Sequence, residues 1–134
     1  MDYEQARQTC LNFPGAYEDF PFGPETAVFK VRAQDSASGK VFALMWPQEQ
    51  GARINLKCDP ILAEQLRAVH PQITPGYHMN KRHWNTVLVT PTGGLDDAMV
   101  HDLIEDSYDL VVSALPKWHR LLLGWKATPT DATE

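Results

Sequence analysis

Residues 53–71 read Arg-Ile-Asn-Leu-Lys-Cys-Asp-Pro-Ile-Leu-Ala-Glu-Gln-Leu-Arg-Ala-Val-His-Pro, and this stretch decides the fold class. Arg53 to Lys57 is a short strand, on which Arg53 and Lys57, four residues apart, point to the same side. Asp59-Pro60 then switches the period. An aspartate accepts orphan amide hydrogen bonds at a helix start, and proline fits the first helical position. The spacing predicts a helix over 59–68, with Leu62, Ala63, Leu66 and Val69 as its buried stripe and Pro71 as its end.

Toward the N-terminus, Tyr17–Phe22, Ala27–Ala33 and Lys40–Trp46 are short segments rich in aromatic or β-branched residues. Turn-forming clusters separate them, which predicts consecutive antiparallel strands. In Val28-Phe29-Lys30-Val31-Arg32, Val28, Lys30 and Arg32 share one face, while Phe29 and Val31 share the other and better core face. Before them, Tyr3, Ala6, Cys10 and Leu11 have helical spacing, with Asp2 and Gln5 in capping-box positions and Pro14-Gly15 as a stop.

Toward the C-terminus, Pro75-Gly76 is a turn, and Tyr77–Trp84 is polar and aromatic without a period. Trp84–Thr90 alternates as a strand, with Trp84, Thr86 and Leu88 opposite Val87 and Val89. Val100, Leu103, Ile104, Val111 and Leu115 keep a helical period over 96–115, and acidic residues fill the other face. The reading is one α+β domain, order α-β-β-β-β-α-β-α, with helices packed on one face of a twisted antiparallel sheet. It spans residues 1–115. Residues 116–134 are a C-terminal extension, with an apolar stretch at Lys117–Trp125 and a frayed tail at 127–134.

The chain of 134 residues is 43% hydrophobic and 22% charged, which excludes a disordered or fibrous class. No apolar run is long enough to cross a bilayer, and the first residues lack the basic start and apolar stretch of a secretory signal. Two cysteines, Cys10 and Cys58, in no metal-like or redox spacing, fit a reducing compartment. The expectation is a cytoplasmic protein without membrane association, a monomer or weak homodimer. The net charge of −5 speaks against a generally basic, nucleic-acid-coating protein. Its distribution is uneven: residues 53–84 carry a local +3 with three interleaved histidines, and residues 95–115 a local −6.

Several segments together resemble the bacterial MmcQ/YjbR family: Pro21-Phe22-Gly23, Phe29-Lys30-Val31, Asn55 to Pro60, Pro75 to Lys81, Trp84-Asn85 and Ser107 to Val111. The resemblance covers about residues 1–115. It implies a fold similar to type III secretion chaperones and somewhat like frataxin. It also implies the family's provisional assignment as DNA-binding proteins with a double-wing surface.

The residues themselves leave two function classes open. In the first, a local basic face binds DNA: Lys30, Arg32, Arg53, Lys57, Lys81 and Arg82 neutralise phosphates, Asn80 pairs with a base edge or phosphate, and Tyr77 or Trp84 stacks on an unpaired base. Such binding is expected to be weak and salt-sensitive. The loops Gln34–Gly39 and Pro47–Ala52 are the most wing-like, yet carry Asp35 and Glu49 and no lysine or arginine. In the second class, the sheet or the Trp118–Trp125 segment holds a peptide, a protein or a second copy. His78 and His83 with Cys58 lack metal-ligand spacing, and no P-loop, G-x-G-x-x-G or serine elbow is present. Cys58, beside the Asp59 cap, reads as a buried, inert thiol, and Asp96-Asp97 and Glu105-Asp106 as a solvated helix face. The expectation is a non-enzymatic binding protein with no metal and no cofactor.

Overall fold

The computed structural model describes residues 1–33 and 39–125, so most of the predicted Gln34–Gly39 wing and the tail 127–134 lie outside the described residues. The chain runs α1 (Tyr3–Leu11), β1 (Ala16–Asp19), β2 (Ala27–Val31), β3 (Lys40–Gln48), β4 (Gly51–Lys57), α2 (Pro60–Val69), β5 (Ile73–Pro75), β6 (Trp84–Val89), α3 (Asp97–Ser113) and α4 (Lys117–Leu122). The fold is α+β as read from the sequence, with β5 and α4 as additions. Three residues, Ile73-Thr74-Pro75, followed by Gly76, give β5 no readable period.

Each predicted helix start is a physical cap. Asp2 Oδ1 accepts from the Gln5 amide, and Gln5 Oε1 accepts from the Asp2 amide, both at 2.8 Å. Asp59 and Asp96 accept from the Leu62 and Met99 amides at 3.1 and 2.7 Å. The six strands are antiparallel in the order β1-β2-β3-β4-β6-β5. A meander of four strands is therefore followed by a crossover through α2 to the far edge, and β6 returns between β4 and β5.

One sheet face carries the core. Ile54 lies between Met45 and Val87, and Leu56 between Ala43 and Asn85. Against this face pack Ala6 and Cys10 of α1 and Val100, Ile104, Tyr108, Val111 and Val112 of α3. The Tyr108 ring stacks on Phe13 at 4.9 Å and meets Phe42 edge-on at 5.4 Å, while its hydroxyl donates to the Pro14 carbonyl at 2.6 Å. Helix α2 departs from its expected stripe. Only Ala63 is buried and Leu66 packs partly, while Val69 is 69% exposed and Leu62 lies at the surface. The reason is its position over the narrow β5–β6 end, where a three-residue strand offers little surface to cover.

The β2–β3 register shifts between Phe29 and Lys30, whose partners are Ala43 and Val41, so Phe42 is the extra residue of a bulge. Beyond the Ala43–Leu56 pair, Ser107 of α3 stands where the β3–β4 ladder would continue. Its hydroxyl accepts from the Lys57 amide at 2.8 Å and donates to the Phe42 carbonyl at 2.6 Å, fully buried. The predicted Pro47–Ala52 wing is corrected. Pro47 and Gln48 pair with Ala52 and Gly51, leaving a two-residue turn, Glu49-Gln50. No helix among the described residues is long and apolar enough to cross a membrane.

The substitution Ser107→Ala leaves the Phe42 carbonyl and the Lys57 amide without a partner, a loss of about 1–3 kcal/mol. Urea denaturation is expected to show a lower midpoint with an unchanged slope. An unshifted midpoint would mean that the bridge contributes nothing.

Candidate binding groove

Alternation places Leu44 and Trp46 of β3, Arg53, Asn55 and Lys57 of β4, and Trp84, Thr86 and Leu88 of β6 on the sheet face away from the helices. Leu44 is opposite Asn55, which is opposite Thr86, and Trp46 is opposite Arg53. Two loops flank this face. One lies between β1 and β2 and carries Phe22 and Glu25. The other lies between β5 and β6 and carries Tyr77, His78 and Met79.

The second loop is fastened by side chains of the sheet. The Tyr77 amide donates to Thr86 Oγ1 at 2.8 Å, the Thr86 hydroxyl donates to Asn55 Oδ1 at 2.5 Å, and Asn55 Nδ2 donates back to the Tyr77 carbonyl at 2.9 Å. Asn55 and Thr86 are each only 2% exposed. Gly76 is required at the hinge, because a Cβ there would meet Trp84 Cβ and the Trp84 carbonyl oxygen at 2.8 Å. His78 adopts the left-handed region at φ +57°, a conformation that costs a residue with a side chain about 1 kcal/mol or more.

Between the loops runs a groove of about 660 Å³, floored by Leu44, Trp46, Pro47 and Asn55 and walled by Phe22, Glu25 and Thr26 on one side and Tyr77, His78 and Met79 on the other. A second basin of about 340 Å³ adjoins it, lined by Trp46, Arg53, Thr74, Pro75, Tyr77 and Thr86. Trp46 and Tyr77, with ring centroids 5.9 Å apart, line both. Phe22 is 74% and Tyr77 58% exposed.

The nine residues expected to bind nucleic acid are distributed unevenly around this groove. Tyr77 lines both basins and Arg53 the smaller one. Lys57 lies further along the same face, opposite Trp84. Lys30 and Arg32 lie on the same face, further toward the β1 edge, on the side of Val28, which is opposite Leu44. Lys30 Nζ donates to Asp19 at 3.0 Å, which holds that carboxyl below its ordinary range, and the Arg32 guanidinium lies 4.5 Å from the Tyr17 ring centroid. Asn80 and Lys81 serve the loop itself: Asn80 Oδ1 accepts from the Arg82 amide at 2.9 Å, and Lys81 Nζ donates to the Gly76 carbonyl at 2.9 Å. Arg82 is exposed in the same turn, and Trp84 backs Gly76. Glu25, Leu44 and Trp46 are groove residues that the sequence did not mark, whereas Phe22, Asn55 and Met79 lie in segments that carried the family resemblance but were given no binding role. The alternation of Leu44 and Trp46 against buried Met45 was the available signal.

Elsewhere, Cys58 is buried and its thiol is pushed up to about 11, first by burial and then by Asp106 and Asp59. Burial likewise raises Cys10. Both thiols are free. Of the expected histidines, His78 belongs to the groove. Among the described residues, the His and carboxylate side chains close enough to share an ion are His101, Asp102 and Glu105 on α3, adjacent on one turn of a solvated helix. The extension docks on the domain through Leu123, which packs against the core, and through Trp125, whose indole N–H donates to Asp109 at 3.0 Å.

The architecture defines a class: single-domain α+β proteins with helices on one face of a six-stranded antiparallel sheet and a loop-walled groove on the other. The chain belongs to the YjbR family, whose model matches residues 11–110. It is 40% identical to the uncharacterised protein YbdF of Escherichia coli O157:H7 over 115 residues, covering 86% of this chain and 88% of that one. It is 32% identical to the uncharacterised protein YjbR of Escherichia coli K12 over 123 residues, covering 92% and 98%. Among solved structures, the Deinococcus radiodurans protein DR2400, assigned to the domain family DUF419, superposes with a TM-score of 0.81 at 38% identity, covering 94% of this chain and 91% of that one. A Pseudomonas syringae protein gives 0.66 at 35% identity, covering 83% and 99%.

Two outcomes follow from the groove and the thiols. Asn55→Ala strands the Tyr77 carbonyl and the Thr86 hydroxyl and is expected to cost about 1–3 kcal/mol, with faster amide exchange confined first to Tyr77–Met79. Uniform exchange across the sheet would contradict that localisation. In folded protein at neutral pH, neither cysteine is expected to react with Ellman's reagent within minutes, and both should react in denaturant. Rapid labelling of Cys58 in the native state would refute its inertness.

Proposed function

We propose that this protein is a non-enzymatic binding module that holds a segment of a partner protein in the open-face groove. One observation carries the reading. The polar groups of the floor consume one another in the Asn55–Thr86–Tyr77 network, so the groove turns apolar and aromatic surface outward while donating little hydrogen bonding of its own. Such surface recognises side chains by shape and burial, as interface pockets do. The basic residues do not gather into one field. Lys30 is paired with Asp19, Arg32 lies over the Tyr17 ring at the β1 edge, and Lys81 is turned to its own loop. The working form is a monomer or weak homodimer, and two free buried thiols fit the cytoplasm.

A second reading is weak nucleic-acid binding. It is favoured by Arg53 and Lys57, which share the open face and make no ion pair among the described residues, beside rings able to stack a base. Four phosphate contacts would give a salt slope of about −4 for duplex DNA.

The test is a protein-observed NMR titration with two probes: a library of short capped peptides with a central aromatic residue, and duplex and single-stranded oligonucleotides. The peptide reading expects shifts at the Trp46 indole and Tyr77 that persist at 0.5 M salt, with the Tyr77 shift lost in Trp46→Ala. Shifts caused only by oligonucleotides, lost with salt and weakened by about two units in slope by Arg53→Ala with Lys57→Ala, would replace it with the second reading.

A further inference from the structure

We propose, resting on the peptide-binding reading, that the groove selects a dipolar segment: an aromatic or large aliphatic side chain set against Trp46 and Tyr77, with a basic group on its Glu25 side and a carboxylate on its Arg53 side. The assignment comes from how charge is placed along the two basins. Glu25 lines the larger groove and not the smaller basin, while Arg53 lines the smaller basin and not the larger. They are the Asp, Glu, Lys or Arg side chains that line these basins, His78 being the one other ionisable wall besides the Tyr77 phenol. Neither makes an ion pair among the described residues.

The pair Trp46 and Tyr77 stands between them, shared by both basins. A chain laid along both basins with a side chain on those rings has Glu25 in the basin on one side of that side chain and Arg53 in the basin on the other. A guanidinium is a fork suited to a carboxylate, whether a side chain or a C-terminus, and a lone carboxylate on an apolar wall suits an ammonium or guanidinium. Nearby floor groups do not compete for these ends, because Asn55 and Thr86 are satisfied internally. The two charges thus act as selectors on a site whose affinity comes from apolar burial, the division of labour seen where electrostatics sets specificity.

Four capped pentapeptides sharing the centre Leu-Phe-Leu test this, with ends Lys and Glu, Lys and Lys, Glu and Glu, or Gln and Gln. The Lys and Glu peptide is made in both orders, and the tighter order enters the comparison, because chain direction decides which end meets Glu25. Binding is read by chemical shifts of the Trp46 indole and the Tyr77 amide. The Lys and Glu peptide is expected to bind about three- to tenfold more tightly than the other three, the range for two partly exposed ion pairs. Arg53→Glu should transfer the preference to the Lys and Lys peptide. Glu25→Lys, at an exposed loop position, should transfer it to the Glu and Glu peptide. Equal affinity of all four peptides with the shifts still at Trp46 and Tyr77 overturns the dipolar selection while leaving the peptide groove intact. Absence of shifts with every peptide overturns both. If Arg53→Glu fails to fold, the Glu25→Lys exchange decides alone, and a preference unchanged in it rejects the proposal.

Discussion

The hydroxyl of Ser107 is the point on which the rest of the structure turns. Inserted between the Lys57 amide and the Phe42 carbonyl, it holds α3 to two strands at once and satisfies the backbone groups that the β3 bulge would leave orphaned in the core. Because Phe42 is the extra residue, Phe42 and Ala43 both serve the helix side, the one packing on Tyr108 and the other sharing a row with Phe29 and Leu56. The alternation is reset after them. Leu44 and Trp46 consequently face away from the helices, Met45 faces inward, and the groove acquires its floor.

The two sheet faces are stabilised by different physics. On the helix side, apolar rows interdigitate with α1 and α3, and burial of large side chains is the driving term. On the other side, a short polar network does the work of a covering element. Three hydrogen bonds among Asn55, Thr86 and the Tyr77 backbone bring one loop onto the sheet. A helix there would bury the face completely. A loop fastened at one point leaves a channel beside it, walled across the gap by the exposed Phe22.

Charge follows the same division. The acidic residues of α3 lie on the outer helix side, while Arg53 and Lys57 point to the open face. Several expected phosphate-binding residues have structural employment instead: Lys30 with Asp19, Lys81 with Gly76 and Asn80 with Arg82. A cation already engaged has less to offer a ligand. The positive character along residues 53–84 is therefore distributed over a strand, a helix and a turn rather than focused into one patch.

Caps and periods were legible in the residues alone, because they are local. Asp2 with Gln5, Asp59 before Pro60 and Asp96 act on amides three positions away, and the apolar stripe of α3 needs no partner to be seen. From these and the short alternating segments the α+β class, four of the six strands' order and the facing of Arg53 with Lys57 follow. The Asn55 and Tyr77 segments were visible as marked residues, but their union was not, since 22 positions separate the two bonded groups. The bulge at Phe42 depends on a serine 65 residues onward, and β5 exists only because β6 is there to pair with it. Whether Lys81 was free to meet a ligand depended on where the Gly76 carbonyl came to rest. Local chemistry set the elements, and long-range pairing, which no window of sequence contains, decided which side chains would face one another across the groove.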